Sequence, residues 1–255
     1  MDIVIGLTVA VSVFAFGMAG LNLFRWLPDR HLTNETRDIV RLGMNMISIL
    51  AALVLGLLIA SAKGAFDRAD LQLRAYAADI TQLDQMLRHY GPVADPIRAD
   101  LLRYTEIAVA TTWPDAGQID NSQLESRSEG QLLEDALQAT LALTPHTDQQ
   151  GWLRTQALDL ASRIIHTRWM LLIDQRGTLS PVLLVIVVTW IAFIFASFGL
   201  NAPRNATVVT ALLVCSLSIG TAIYVILDMD RPFDSAIAVS GAPMKDALAH
   251  LRAPK

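Results

Sequence analysis

The chain has 255 residues, 53% of them hydrophobic and only 17% charged, with a formal net charge of −4. Its apolar residues fall in long blocks rather than in the periodic patterns of a soluble domain. No basic stripe or interleaving of aromatic and basic residues accompanies the mild charge, so no nucleic-acid partner is expected. Cys215 is the only cysteine, which excludes an intrachain disulfide and a cysteine-cluster metal site.

The first block runs from Ile3 to Phe24 and is stopped by Arg25. No cationic side chain precedes it and it outruns a signal-peptide core, so it reads as a retained transmembrane helix. The second block is Gly43 to Ala62, bounded by Arg41 and Lys63. The third has its apolar core at Pro181 to Leu200, and the fourth runs from Asn205 to Leu227, stopped by Asp228, Asp230 and Arg231. A hydrocarbon core of about 30 Å needs roughly 20 helical residues, and lipid leaves open strands with unpaired backbone groups. Four membrane-spanning helices are therefore expected, and 255 residues supply too little polar surface to bury four such runs in a soluble core.

Between the second and third blocks the pattern becomes amphipathic. Leu73, Tyr76, Ile80, Leu83, Leu87 and Tyr90 recur at 3, 4, 3, 4 and 3, one face of a helix from Phe66 to Tyr90. Asp70 with Arg74 and Asp84 with Arg88 stand four apart, acidic member first, as on a solvated face. Gly91 and Pro92 end this helix, and Asp95 before Pro96 reads as an N-cap with proline at the first helical position. The next helix, Pro96 to Thr112, aligns Ile97, Leu101, Tyr104 and Ala108, and Trp113-Pro114 ends it. Asp115 to Gly130 is a polar loop, followed by a helix over Gln131 to Leu143. The last helix of this region starts near Thr147 or Asp148. It aligns Leu153, Ala157, Leu160, Ile164, Thr167 and Leu171, a seam suited to antiparallel pairing with the Phe66–Tyr90 helix or to another subunit.

The expected organisation is residues 1–62 for the first two spans, 63–179 for a soluble helical domain, 180–233 for the last two spans and 234–255 for a C-terminal tail. Four spans put both termini on the side of the middle domain. The first loop carries Arg25, Arg30, Arg37 and Arg41, and the second Arg204. Basic residues near the span ends are slightly more numerous on the domain side, which favours a cytoplasmic domain and termini.

Within the second span, Asn45, Ser48, Ala52, Gly56, Ala60 and Lys63 form a small and polar stripe at spacings of 3, 4, 4, 4 and 3. Two readings compete: a small-xxx-small packing surface, or the border of a water-filled path. In the second, Ile49, Leu53 and Ile59 make an apolar constriction that gates by dewetting. The fourth span repeats the theme with Ser216, Gly220 and Tyr224. No span holds an ionisable residue in its interior, which argues against an ion-coupled pump or carrier. Arg37, Arg41 and Arg204 are candidate contacts for anions or lipid phosphates. Asp228 and Asp230 are either a cation site or a stop-transfer charge cluster. The five histidines have no metal-ligand spacing, and no nucleophile elbow, phosphate loop or dinucleotide fingerprint is present. No enzyme activity, metal or cofactor is expected.

A set of landmarks spans nearly the whole chain: Leu27-Pro28, His31-Leu32, Thr36-Arg37-Asp38, Val40 to Gly43, Ala52 to Gly64, Leu83-Asp84, Tyr90-Gly91-Pro92, Trp113-Pro114, Phe195 to Leu200, Ala202 to Asn205 and Pro232-Phe233. On these the chain resembles the bacterial bestrophin-like membrane family, distantly related to bestrophins. The resemblance implies an all-α fold with a helical cytoplasmic region between spans two and three, a pentameric homo-oligomer, and an ion-conducting pore lined by span two. It implies bacterial inner-membrane localisation, with inorganic ions and membrane lipids as partners. The chain departs from the animal proteins in lacking the aromatic neck residues and a convincing acidic calcium clasp after span four. A non-conducting membrane scaffold whose soluble helices bind a partner is the alternative.

Overall fold

A computed structural model describes residues 2–23, 34–113, 129–174, 179–233 and 236–253, with the side chains of residues 34–37, 129 and 174 outside that description. Every regular element among the described residues is helical. In chain order they are α1 (Asp2–Leu23), α2 (Asn34–Tyr90), a 3-10 turn (Pro92–Ala94), α3 (Asp95–Thr112), α4 (Glu129–Leu141), α5 (Asp148–Asp174), α6 (Pro181–Asn201), α7 (Ala206–Met229) and α8 (Ala242–Arg252). Four of them are long and apolar enough to cross a membrane: α1, α2, α6 and α7. The chain divides into two compact units, residues 1–66 with 177–237 and residues 67–176 with 238–255. The expected 115–130 loop falls largely outside the described residues.

Span two and the following amphipathic helix, expected as separate elements, are one 57-residue helix, about 85 Å long at 1.5 Å per residue. The hydropathy break at Lys63 marks a change of solvent, not of backbone. No proline or cap lies between Ala62 and Phe66, and a lone Gly64 costs a helix only about 1 kcal/mol. Arg37 and Arg41, expected in a loop, consequently lie on α2.

In the first unit α1 packs against both α6 and α7, and glycines set the approach. A Cβ on Gly199 would lie 2.0 Å from the Gly17 carbonyl oxygen, and one on Gly20 would lie 2.0 Å from that of Ala196. Toward α7, a Cβ on Gly220 would stand 2.6 Å from both the Gly6 carbonyl oxygen and the Ala10 Cβ. In lipid, where apolar burial gives little drive, such close backbone contact is what holds helices together. Val13, Leu58, Val187 and Ile223 fill the core between the four spans. Asn205 caps α7 by accepting from the Val208 N–H at 2.8 Å.

In the second unit the apolar face of α2 beyond Asp67 is buried as its spacing predicts: Leu73, Tyr76, Ile80, Leu83, Leu87 and Tyr90 all lie in the core. α5 runs antiparallel to it. Arg163 pairs with Asp79 at 3.4 Å, and Gln150 Nε2 donates to the Tyr90 carbonyl at 3.2 Å. Thr147 accepts from the Gln150 N–H at 3.2 Å and starts α5. Gly91 has φ of 117°, a conformation side chains resist, and it turns the chain out of α2. Asp95, expected as an N-cap, instead has helical angles of −59° and −36°; its carboxylate is drawn to Arg98 at 3.3 Å.

The residues expected as a tail contain α8, which buries Met244, Ala247, Leu248 and Leu251. Trp113 Nε1 donates to the Val239 carbonyl at 3.0 Å, and the indole lies so close to Gly241 that a Cβ there would stand 2.7 Å from the ring. Trp113 thus does more than end α3.

Candidate functional site

The packed face of α2 in the first unit is made by Ala51, Leu58 and Ala62, with Ile47 and Val54 beside them. At about 100° per residue, the stripe predicted on span two points elsewhere. Asn45, Ala52, Gly56, Ala60 and Lys63 are exposed, and Ser48 is half-buried with its hydroxyl donating to the Met44 carbonyl at 2.8 Å. A Cβ on Gly56 would meet nothing within 4 Å. Ile49, Leu53 and Ile59 are also exposed, the first two at 70% and 69%. Within one chain, then, the stripe closes on nothing.

The other spans use their small residues internally. Ser216 and Gly220 of α7 are buried, Gly220 against α1. Gly17 and Gly20 of α1 meet α6 and α7. Hydroxyls on remaining faces bond back to their own helices: Thr8 to Val4, Thr189 to Val185 and Thr221 to Leu217, at 2.7 to 2.9 Å. Such satisfied hydroxyls need no pore or partner. The difference shows in burial: 33%, 39% and 28% of the apolar stretches of α1, α6 and α7 are buried within the chain but 11% of that of α2.

The charged candidates separate. Arg41 is exposed on α2, and the Arg37 side chain lies outside the described residues. Arg204 donates through Nη2 and Nε to the Leu21 carbonyl at 2.6 and 3.2 Å, capping the C-terminal end of α1 where a cation is favoured.

Asp228 and Asp230 are both buried, and both accept from backbone N–H groups. Asp228 accepts from the N–H groups of Ala236 and Ile237 at 3.2 and 2.7 Å, and Asp230 accepts from the Leu179 N–H at 3.2 Å. The pair organises the turns that enter and leave the last two spans. Among the described residues, no group of three His, Cys, Asp or Glu is set to hold a metal ion.

Sequence spacing missed one cluster. Asp84, expected on a solvated face, is 1% exposed. Arg88 Nε donates to its Oδ2 at 2.7 Å, and Arg98 Nε to its Oδ1 at 2.8 Å. Arg88 Nη2 reaches on to the carbonyls of His250 and Ala253 at 3.1 Å each, the open end of α8. Burial acts to lower the Arg98 pKa, but its bonds to Asp84 and Asp95 outweigh that and raise it above its ordinary value. Only Arg88 was visible at i+4; Arg98 comes from the next helix.

An all-α membrane protein with four spans and a helical insertion between the second and third is the class these features define. The family profile described as Bestrophin-like domain matches residues 10–244, and the chain belongs to that family. Solved structures of a bacterial bestrophin homologue from Klebsiella pneumoniae, in forms carrying single substitutions, share the fold. One superposes with a TM-score of 0.67 at 11% identity, covering 96% of this chain and 97% of that one. A second gives 0.66 at 12% identity with 96% and 98% covered, and a third 0.65 at 13% with 96% and 95% covered. No curated protein matches the chain.

Proposed function

We propose that the chain assembles as a cyclic homo-oligomer, a pentamer, in a bacterial inner membrane and conducts inorganic ions along an axis surrounded by α2. The observation that carries this reading is the open stripe: a small and polar face running the length of a span, pointed away from its own subunit. Lipid tails are a poor cover for Asn45 and Lys63, whereas copies of the same face around an axis would enclose water. The resemblance to bestrophins, whose second span lines their pore, supports the same choice.

In this reading Asn45, Ser48, Ala52, Gly56, Ala60 and Lys63 line the wetter levels. Ile49, Leu53 and Ile59 form the apolar gate, where a narrow ring expels water and so blocks ions. The soluble unit and both termini face the cytoplasm. Arg41 and Arg37 stand at the opposite entrance, where they attract anions or lipid phosphates; Arg204 caps α1 there.

Purified protein in planar bilayers should show discrete conductance. Leu53→Ser, which hydrates the proposed ring, should raise the open-channel current or open probability several-fold. A verified intact oligomer that stays silent in several salts, with or without that substitution, removes the channel and leaves the scaffold reading.

A further inference from the structure

We infer that the groove between α1 and α7 holds a phospholipid, with an acyl chain along its floor and the phosphate at Arg231. The groove has a volume of about 350 Å³ and lies wholly within the first unit, walled by Ile3 and Leu7 of α1 and by Leu217, Thr221 and Tyr224 of α7. A Cβ on Gly6 would stand 2.8 Å from both the Gly220 carbonyl oxygen and the Tyr224 Cβ. The two backbones therefore meet at the floor, and no side chain fills the trough above them. On either side Ile3, Leu7 and Leu217 rise as ridges, 65%, 58% and 47% exposed. The Thr221 hydroxyl donates to the Leu217 carbonyl at 2.9 Å, so it needs no partner in the groove.

Shape selects the occupant. Both walls belong to membrane-spanning helices, so what fills the groove is lipid or another helix. A helix is about 10–12 Å across with its side chains and would ride on the Leu7 and Leu217 ridges. The floor beneath it would stay empty and forfeit its dispersion contacts. An acyl chain is one methylene wide and flexible. It can follow the trough for about 10 Å, the rise from Ile3 to Ala10 at roughly 1.5 Å per residue.

Charge at the mouth of the groove agrees. The apolar run of α1 begins at Ile3 and that of α7 ends before Asp228, which sets this end of the groove at the edge of the hydrocarbon. Arg231 stands there, its side chain 37% exposed and its Nη1 3.5 Å from Asp2 Oδ1. That separation is longer than a good hydrogen bond, and the guanidinium has no other side-chain partner among the described residues. Asp2 engages one corner of the fork and leaves the remaining N–H groups for an acceptor. An arginine so placed suits the paired oxygens of a lipid phosphate, with the chain below running into the groove.

The test uses the full chain, reconstituted with phosphatidylcholine and phosphatidylglycerol, extracted again in detergent and washed. Native mass spectrometry then counts the phospholipid still bound. The natural sequence should carry one firmly held phospholipid per subunit. Thr221→Phe fills the groove and Arg231→Gln removes the phosphate donor, and each should lower that occupancy several-fold. Ser218→Phe, on α7 outside the groove, should retain it. Thr221 and Ser218 are both exposed, so neither replacement crowds its own subunit. Unchanged occupancy in Thr221→Phe or in Arg231→Gln overturns the inference by placing the held lipid elsewhere. A natural chain that carries none overturns it as well. Loss of subunit association in Thr221→Phe overturns it in favour of a contact with another copy. Conductance enters none of these readouts, so the channel reading stands or falls separately.

Discussion

Asp84 shows how much one residue can hold. Its carboxylate is 1% exposed and joins two helices through Arg88 and Arg98, while Arg88 also closes the end of α8. Removing one partner of a buried ion pair leaves the other charges uncompensated, typically at a cost of about 3–5 kcal/mol. Asp84→Asn should therefore lower the thermal midpoint of the purified protein markedly. Asp70→Asn removes a pair of the same spacing, Asp70 with Arg74 at 2.9 Å, whose arginine lies in solvent, and it should leave the midpoint unchanged. Equal effects in thermal unfolding followed by circular dichroism would show that spacing, not burial, sets the contribution. The sign of the pH dependence is also fixed on the arginine side. A basic group with a raised pKa keeps its contribution at every pH below its unfolded value and loses it only as pH climbs through the raised one. The Arg98 bond therefore does not weaken near neutrality. Both pairs look alike in sequence because i+4 spacing reports only the helix that carries it. The second arginine sits 14 residues away, beyond Gly91 and Pro92, and no local period brings it into view.

Among elements, the contrast between α2 and the other spans rests on what surrounds each glycine. Gly199→Ala places a methyl 2.0 Å from a backbone oxygen of α1, which only separation of the two helices relieves. It should abolish accumulation of folded protein in the membrane or strip most of its thermal stability. Gly56→Ala meets open space and should leave the fold of each subunit intact, any effect appearing in assembly or conductance. Gel-filtration profiles of the two variants in detergent check both expectations. The four spans, the seams of α3 and α5 and the start of α5 near Thr147 were legible because hydropathy and helical period are local quantities. The continuity of α2 was not, because Lys63 and Gly64 end an apolar run without ending a helix. α8 was hidden for another reason. Eleven residues are too few to hold a helix in water alone, and it forms where Met244 and Leu248 find the second unit and Arg88 closes its last carbonyls. Asp228 and Asp230 were visible as acids, but their backbone partners, Leu179, Ala236 and Ile237, carry no sequence signal.

For the whole molecule, the proposed assembly turns on which of the exposed faces of α2 would meet other copies. Seen down the helix, the packed line through Ala51 and Leu58 has Ala52 on one side and Leu50 on the other, two residues and about 200° apart. Both are exposed. Ala52 belongs to the small and polar stripe, and Leu50 to a bulky sector with Leu57, which suits acyl chains. If the stripe surrounds an axis, its copies converge there and the bulky sector diverges from it. In a Cys215→Ser background, Ala52→Cys should therefore yield intersubunit disulfides on mild oxidation in native membranes, while Leu50→Cys should remain largely monomeric on non-reducing gels. The reverse pattern would turn the bulky sector inward and make the stripe a lipid-facing or partner-binding surface, as the scaffold reading requires. Cross-linking at neither position would leave α2 apart from its copies and remove the axial pore. The comparison is sensitive because the two thiols lie within about 3 Å of one another in depth while differing by about 200° in azimuth, so depth-dependent thiol chemistry largely cancels between them.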